Sequence, residues 1–214
     1  MTAPVESKAP AWRFVFTPVG LMLLGLAVMW GIEIVDSVAL DEELQRNGLR
    51  PRRREGLDGV LWAPFLHSDY GHVASNSVPF LVLGGLVAAR GRRYWGWVTA
   101  TAIVVGGGLT WALAGDGIHV GASGVVFGYF GAILGAAAFE RRVRALGAAL
   151  IALGFYSSLI AGLVPQDAIS WEGHLFGLVA GVIASKALAE PRTKPEDTPY
   201  EPEPWELDEP WNLA

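Results

Sequence analysis

The sequence predicts an all-α membrane protein, a bundle of six transmembrane helices with a large first loop. Three observations lead there. The 214-residue chain is 52% hydrophobic and only 17% charged, where soluble domains average about 45–50% apolar and about 25% charged. Six segments approach the run of about 20 mostly apolar residues that a hydrocarbon core of about 30 Å asks of a helix. Those segments also lack the polar stripe that each helix of a water-soluble bundle would carry.

The first segment runs from about Pro18 to Leu40. It is too long and too far along the chain for a cleaved signal peptide, and no small-residue cleavage site follows. The second covers about His72 to Ala89 and the third about Tyr94 to Ala114. The fourth spans about Ala122 to Phe139, the fifth about Ala145 to Val164, and the sixth about Trp171 to Leu188. Residues 12–189 thus read as one membrane domain. Residues 1–11 are short and polar. The tail 190–214 is rich in Pro and acid, so it cannot bury a core and reads as disordered. Trp205 and Trp211 within it read first as part of a solvated tail and second as a short recognition motif.

Charge sets the orientation. The net charge of −5 belongs to the tail, where eight acids face two bases; the rest of the chain holds fourteen bases against thirteen acids. With both termini in the cytoplasm, eleven of the sixteen bases fall on the inside, as Lys and Arg do in membrane proteins. The other five, Arg46, Arg50, Arg52, Arg53 and Arg54, share the first loop, about Asp41 to Gly71. That loop also holds an amphipathic-looking stretch of Leu57, Val60, Leu61, Trp62, Phe65 and Leu66. It reads as lying in the headgroup region with Arg52–Arg54 on lipid phosphates; a solvated loop is the alternative. No basic footprint for nucleic acid is present. Zero cysteines exclude disulfides, thiol catalysis and thiolate metal sites.

Polar groups inside a membrane are expensive, so each is a candidate for function. Helices two, four and six all run from outside to inside, which places their first turns at one depth. Helix two opens with His72 and carries Asn76 one turn later on the same face. Helix four opens with Gly121-Ala122-Ser123-Gly124. Helix six opens with Trp171-Glu172-Gly173-His174, followed by Gly177 and Gly181. A serine becomes a nucleophile when a base takes its proton, and histidine suits that task near neutral pH. The resulting oxyanion needs fixed donors, available from His72, Asn76 and the Ser123 main chain.

Each piece has a plainer reading. A lone membrane serine usually bonds its own helix, and a lone histidine can pack against a carbonyl. Glycine ladders such as Gly124/Gly128 and Gly131/Gly135 are packing signals first. Glu33 and Asp36 read as facing a polar loop or water. His67 and His72 have poor spacing for a metal, and His119 has no evident role.

On these residues the sequence resembles the rhomboid family of intramembrane serine proteases. Gly121-Ala122-Ser123-Gly124 matches its GxSG motif, His174-x-x-Gly177-x-x-x-Gly181 its helix-six motif, and His72-x-x-x-Asn76 its helix-two motif, with His67 upstream. The resemblance covers about residues 12–189. It implies a rhomboid-like six-helix bundle that cuts membrane-embedded segments near the outer face by a Ser–His dyad, without a third acid, metal or cofactor. Ser123 is then the nucleophile and His174 the general base. His72, Asn76 and the Ser123 backbone N–H would bind the oxyanion, with Gly121, Gly124, Phe127 and Gly177 in support. Three departures stand out. Phe127 replaces the family's frequent Tyr, no glutamate follows Gly84-Gly85, and the first-loop Trp-Arg pair is absent, though Arg52–Arg54 would serve a similar role.

The expected partners are the lipid bilayer and membrane-protein substrates whose transmembrane segment is helix-destabilised. The absence of a presequence and of cysteine fits a bacterial plasma membrane. A helix-binding pseudoprotease is the alternative, but loss of the serine or base would signal it and both are present. A metalloprotease would need an HExxH-like pair, and an aspartyl protease a GxGD aspartate; Asp116 lacks the first glycine of that setting. A transporter would place its polar groups near the midplane.

Overall fold

The computed structural model describes residues 12–166 and 169–189. The segments 1–11 and 190–214, with Trp205 and Trp211, lie outside the described residues. Six long helices stand where the apolar segments predict them: α1 Pro18–Ala39, α2 Tyr70–Ala88, α3 Arg92–Leu113, α4 Ser123–Glu140, α5 Val143–Leu163 and α6 Trp171–Ala187. The first five are long and apolar enough to cross a membrane. With 17 residues, α6 reaches about 26 Å, slightly under the hydrocarbon thickness.

Local chemistry sets the helix starts. Pro18 opens α1 behind Thr17, whose hydroxyl accepts from the Gly20 N–H, satisfying an orphan donor of the first turn. Asp69 does the same for α2 by accepting the His72 N–H at 2.8 Å, so this helix begins at Tyr70, two residues before the expected His72. Bonds from His72 N–H and the Ser68 hydroxyl hold the Asp69 carboxyl below the ordinary carboxylate range. Gly121 has φ +107°, a left-handed conformation that glycine adopts without strain, and it turns the chain into α4. Within α3, Ala102–Gly106 forms a π-helical turn, and α5 finishes in the 3₁₀ turns of Ser157–Leu163.

At the centre lies α4, with 12 of its 18 residues buried. Its contacts with α6 climb together along both helices. Gly124 meets Gly177, Gly131 meets Leu178 and Gly135 meets Ser185, with Gly128 set between Gly177 and Gly181. The two helices are therefore parallel and joined backbone to backbone, as small residues allow. A Cβ on Gly177 would run into the Gly124 carbonyl. On the other flank α2 also runs parallel to α4, from His72 beside Gly121 to Gly84 beside Tyr129. This agrees with the shared direction that the sequence implies for helices two, four and six. At the far end of this pair the Arg90 guanidinium meets the buried Glu140 carboxylate and lies 4.3 Å from the Tyr94 ring centre. Outward side chains such as Val38, Val143, Leu150 and Phe155 are apolar and exposed, a surface suited to lipid rather than water.

The first loop folds as short helical turns at Leu44–Asn47, Arg54–Gly56, Gly59–Trp62 and Ala63–Phe65. Leu57, Leu61 and Trp62 are exposed while Leu66 is buried, so the stretch is two-sided. Arg52 departs from the expected lipid-facing position, while Arg53 and Arg54 are exposed. The Arg52 guanidinium bonds the Ala114 carbonyl and Asp116, and its N–H bonds Trp111 O at 2.8 Å. A fixed carboxylate and carbonyl within reach hold this side chain on the protein. Glu33 and Asp36 are both buried, and of the polar loop or water expected for them Asp36 faces the loop. Asp36 Oδ1 accepts the Leu44 N–H at 2.9 Å, so it serves the loop.

Candidate active site

The first turns of α2, α4 and α6 meet around Ser123. Ser123 Oγ lies 2.9 Å from His174 Nε2. On the other side of that ring, His174 Nδ1 is 2.8 Å from the Gly162 carbonyl oxygen. A carbonyl only accepts, so Nδ1 carries the proton and Nε2 presents its lone pair to the serine. The Phe127 ring stacks on the imidazole at 4.3 Å between centres and 9° between planes. The tyrosine hydroxyl missing at this position is thus not needed for stacking.

His72 and Asn76 converge on one spot beside Gly121. A Cβ added there would lie 2.6 Å from His72 Nε2 and 3.6 Å from Asn76 Nδ2, so only glycine admits the two side chains. The Ser68 N–H faces His72 Nδ1 at 3.4 Å, and Ser68 Oγ lies 3.1 Å from it. An N–H only donates, which favours a bare Nδ1 and a protonated Nε2. Asn76 Nδ2 bonds the His72 carbonyl at 3.1 Å, leaving its second N–H over. The Ser123 N–H belongs to the first turn of α4, where intrahelical acceptors are missing. Gly124 lies against α6 at Gly173 and Gly177.

Ser123, His174, Phe127 and His72 line an open cleft of ≈ 800 Å³ bounded by Asn76 and Pro79 on α2 and by Leu159 and Gly162 on α5, within the usual size of a ligand site. A smaller cavity of ≈ 50 Å³ lies between the first loop, α3 and Ser123.

Every residue singled out from the sequence as a site candidate lies in this cluster. Others join that carried no role there. His67 packs edge-on to His72 at 5.0 Å and accepts the Ala122 N–H at 3.4 Å; burial, helped by the His72 ring, pushes it down to about 4. His119 pairs by its main chain with Leu49 and by its ring with Ser170, ahead of α6, and burial lowers its pKa. Gly162 acts through its main-chain carbonyl, and Ser68 through both its N–H and its hydroxyl. The spacing of His67 from His72 was the only available hint among these four.

The rhomboid domain model matches residues 55–191. The chain belongs to the rhomboid family. Over 198 residues this rhomboid is 34% identical to uncharacterized proteins of Mycobacterium bovis (strain ATCC BAA-935 / AF2122/97) and Mycobacterium tuberculosis (strain ATCC 25618 / H37Rv), covering 88% of this chain and 81% of each relative. An uncharacterized Mycobacterium leprae (strain TN) protein is 32% identical over 183 residues, 81% of this chain and 72% of its own. Family and apolar helices together make this rhomboid an integral membrane protein of a family whose members are generally intramembrane serine proteases.

Proposed function

We propose that this rhomboid is a serine endopeptidase that cleaves transmembrane segments of other membrane proteins near the outer face. The observation that carries the reading is the 2.9 Å pairing of Ser123 Oγ with His174 Nε2, on a ring whose Nδ1 faces the Gly162 carbonyl. Ser123 attacks the scissile carbonyl while His174 Nε2 takes its proton and later returns it to the leaving amine. The oxyanion that forms accepts from His72 Nε2–H, the spare Asn76 N–H and the Ser123 main chain, in the manner of a preorganised oxyanion hole. Water entering from the outer face then hydrolyses the acyl-enzyme.

Carbonyls within a helix are bonded and shielded, so the substrate must unwind to be cut. Small or helix-breaking residues near the outer end of its span are the expected feature, and the cleft between α2 and α5 is the expected seat. Both termini are proposed to be cytoplasmic. Single cysteines introduced into this cysteine-free chain at Asp58 and Arg93 test that. Impermeant reagent on intact cells labels the first and spares the second if the orientation is right.

The deciding experiment uses purified protein in detergent with a model transmembrane substrate. Wild type turns it over and Ser123→Ala and His174→Ala do not, while a fluorophosphonate probe labels Ser123. Equal turnover by all three rejects the dyad. Binding of the substrate helix without cleavage by wild type returns the pseudoprotease reading.

A further inference from the structure

We infer that Gly162 is a positioning residue for this reaction: its main-chain carbonyl, near the end of α5, holds His174 in the one tautomer that can deprotonate Ser123. The inference rests on the protease reading and adds the member of the site that no motif names.

Neutral imidazole carries one N–H. With Nδ1 2.8 Å from the Gly162 oxygen and Nε2 2.9 Å from Ser123 Oγ, both nitrogens are engaged, and no ring position is left for a carboxylate. In a Ser-His-Asp triad the acid fixes the tautomer and steadies the imidazolium. Here a neutral carbonyl does the first task fully. It does part of the second, because the Nδ1–H···O bond becomes charge-assisted once Nε2 takes the serine proton. The opposite tautomer sets a lone pair against the carbonyl and offers Ser123 no acceptor.

Two further features tie the role to this position. A Cβ at Gly162 would lie 3.1 Å from His174 Nδ1 and 3.2 Å from Phe127 Cζ, so a larger residue displaces the ring that the carbonyl orients. The carbonyl is also free to serve. Gly162 lies in the last turn of the 3₁₀ segment Ser157–Leu163, and carbonyls in the last turn of a helix have no intrahelical donor.

The test is ¹⁵N NMR of histidine-labelled full-length protein in detergent near neutral pH. The chain has four histidines, and the His174 signals are those missing from His174→Asn. Wild type is expected to show a proton on His174 Nδ1 and a bare Nε2. In Gly162→Ala the His174 tautomers mix, and kcat falls with KM little changed, by less than the ~10²-fold that a misplacement of about 1 Å costs. A wild-type His174 protonated on Nε2 overturns the inference, as does a Gly162→Ala enzyme with unaltered kcat. If Gly162→Ala does not fold, the wild-type spectrum decides alone. The spectrum needs no turnover, which separates the two readings. An inert protein with Nδ1–H on His174 sinks the protease and leaves the Gly162 contact standing. A cleaving enzyme whose resting His174 carries Nε2–H sinks the Gly162 role and leaves the endopeptidase activity standing.

Discussion

Asn76 and His67 sit a few ångströms from the same serine loop yet fail in different ways when changed. Asn76 offers one N–H to the proposed oxyanion, so Asn76→Ala should lower kcat by about 10²–10³. Wild-type thermal stability in that variant would show that the loss is chemical. His67 is a matter of pH. Burial pushes its folded-state pKa to about 4, below the unfolded value of about 6.5. Between those two values the unfolded chain binds a proton that the folded one refuses. Stability contributed by the neutral ring is therefore whole above pH 6.5 and falls as pH drops to about 4, by about 3 kcal/mol in total. His67→Gln should flatten the melting-temperature profile across that window and leave it unchanged at pH 8. Ser123, His174, His72 and Asn76 were legible because their side chains are costly in a membrane. Gly162 was not, since every residue has a carbonyl and only folding selects one.

Among the elements, the joint between α4 and α6 governs the reactive distance. Gly177→Val forces a side chain into the Gly124 carbonyl. Overpacking of this kind costs about 1–3 kcal/mol, and the displacement should separate Ser123 from His174. Turnover should be lost at temperatures where the variant remains folded by circular dichroism. Gly85 is the control, because nothing lies within 4 Å of a Cβ placed there; Gly85→Ala should cleave at the wild-type rate. The six helices were legible from their apolar runs, and their ends shifted by only a residue or two, as the Asp69 cap illustrates. The fastening of the first loop was not. An arginine beside apolar residues reads alike whether it meets a lipid phosphate or Asp116, and the distinction comes from a loop some sixty positions away.

At the scale of the whole molecule, the two ends of the bundle are held by different forces. One end carries the hydrogen-bonded site and the pinned first loop. The other carries the ion pair of Arg90 with Glu140, whose side chain is 3% exposed. Removing one partner of a buried pair strands the other and costs about 3–5 kcal/mol. Arg90→Ala should therefore lower the melting temperature, while Arg90→Met/Glu140→Leu should recover much of the loss. Catalysis at the opposite end should survive in both at low temperature. Equal destabilisation by the single and double variants would show that packing rather than charge holds this end.

The glycine contacts between α4 and α6 have a consequence for divergence within the family. Because main chain rests on main chain, the spacing of nucleophile and base does not depend on the size or shape of interlocking side chains. The residues on the outside of the bundle, such as Val143, Leu150 and Phe155, are then free to drift with the lipids they meet. Relatives can share a third of their sequence and differ over the whole exterior without retuning the distance on which the chemistry depends.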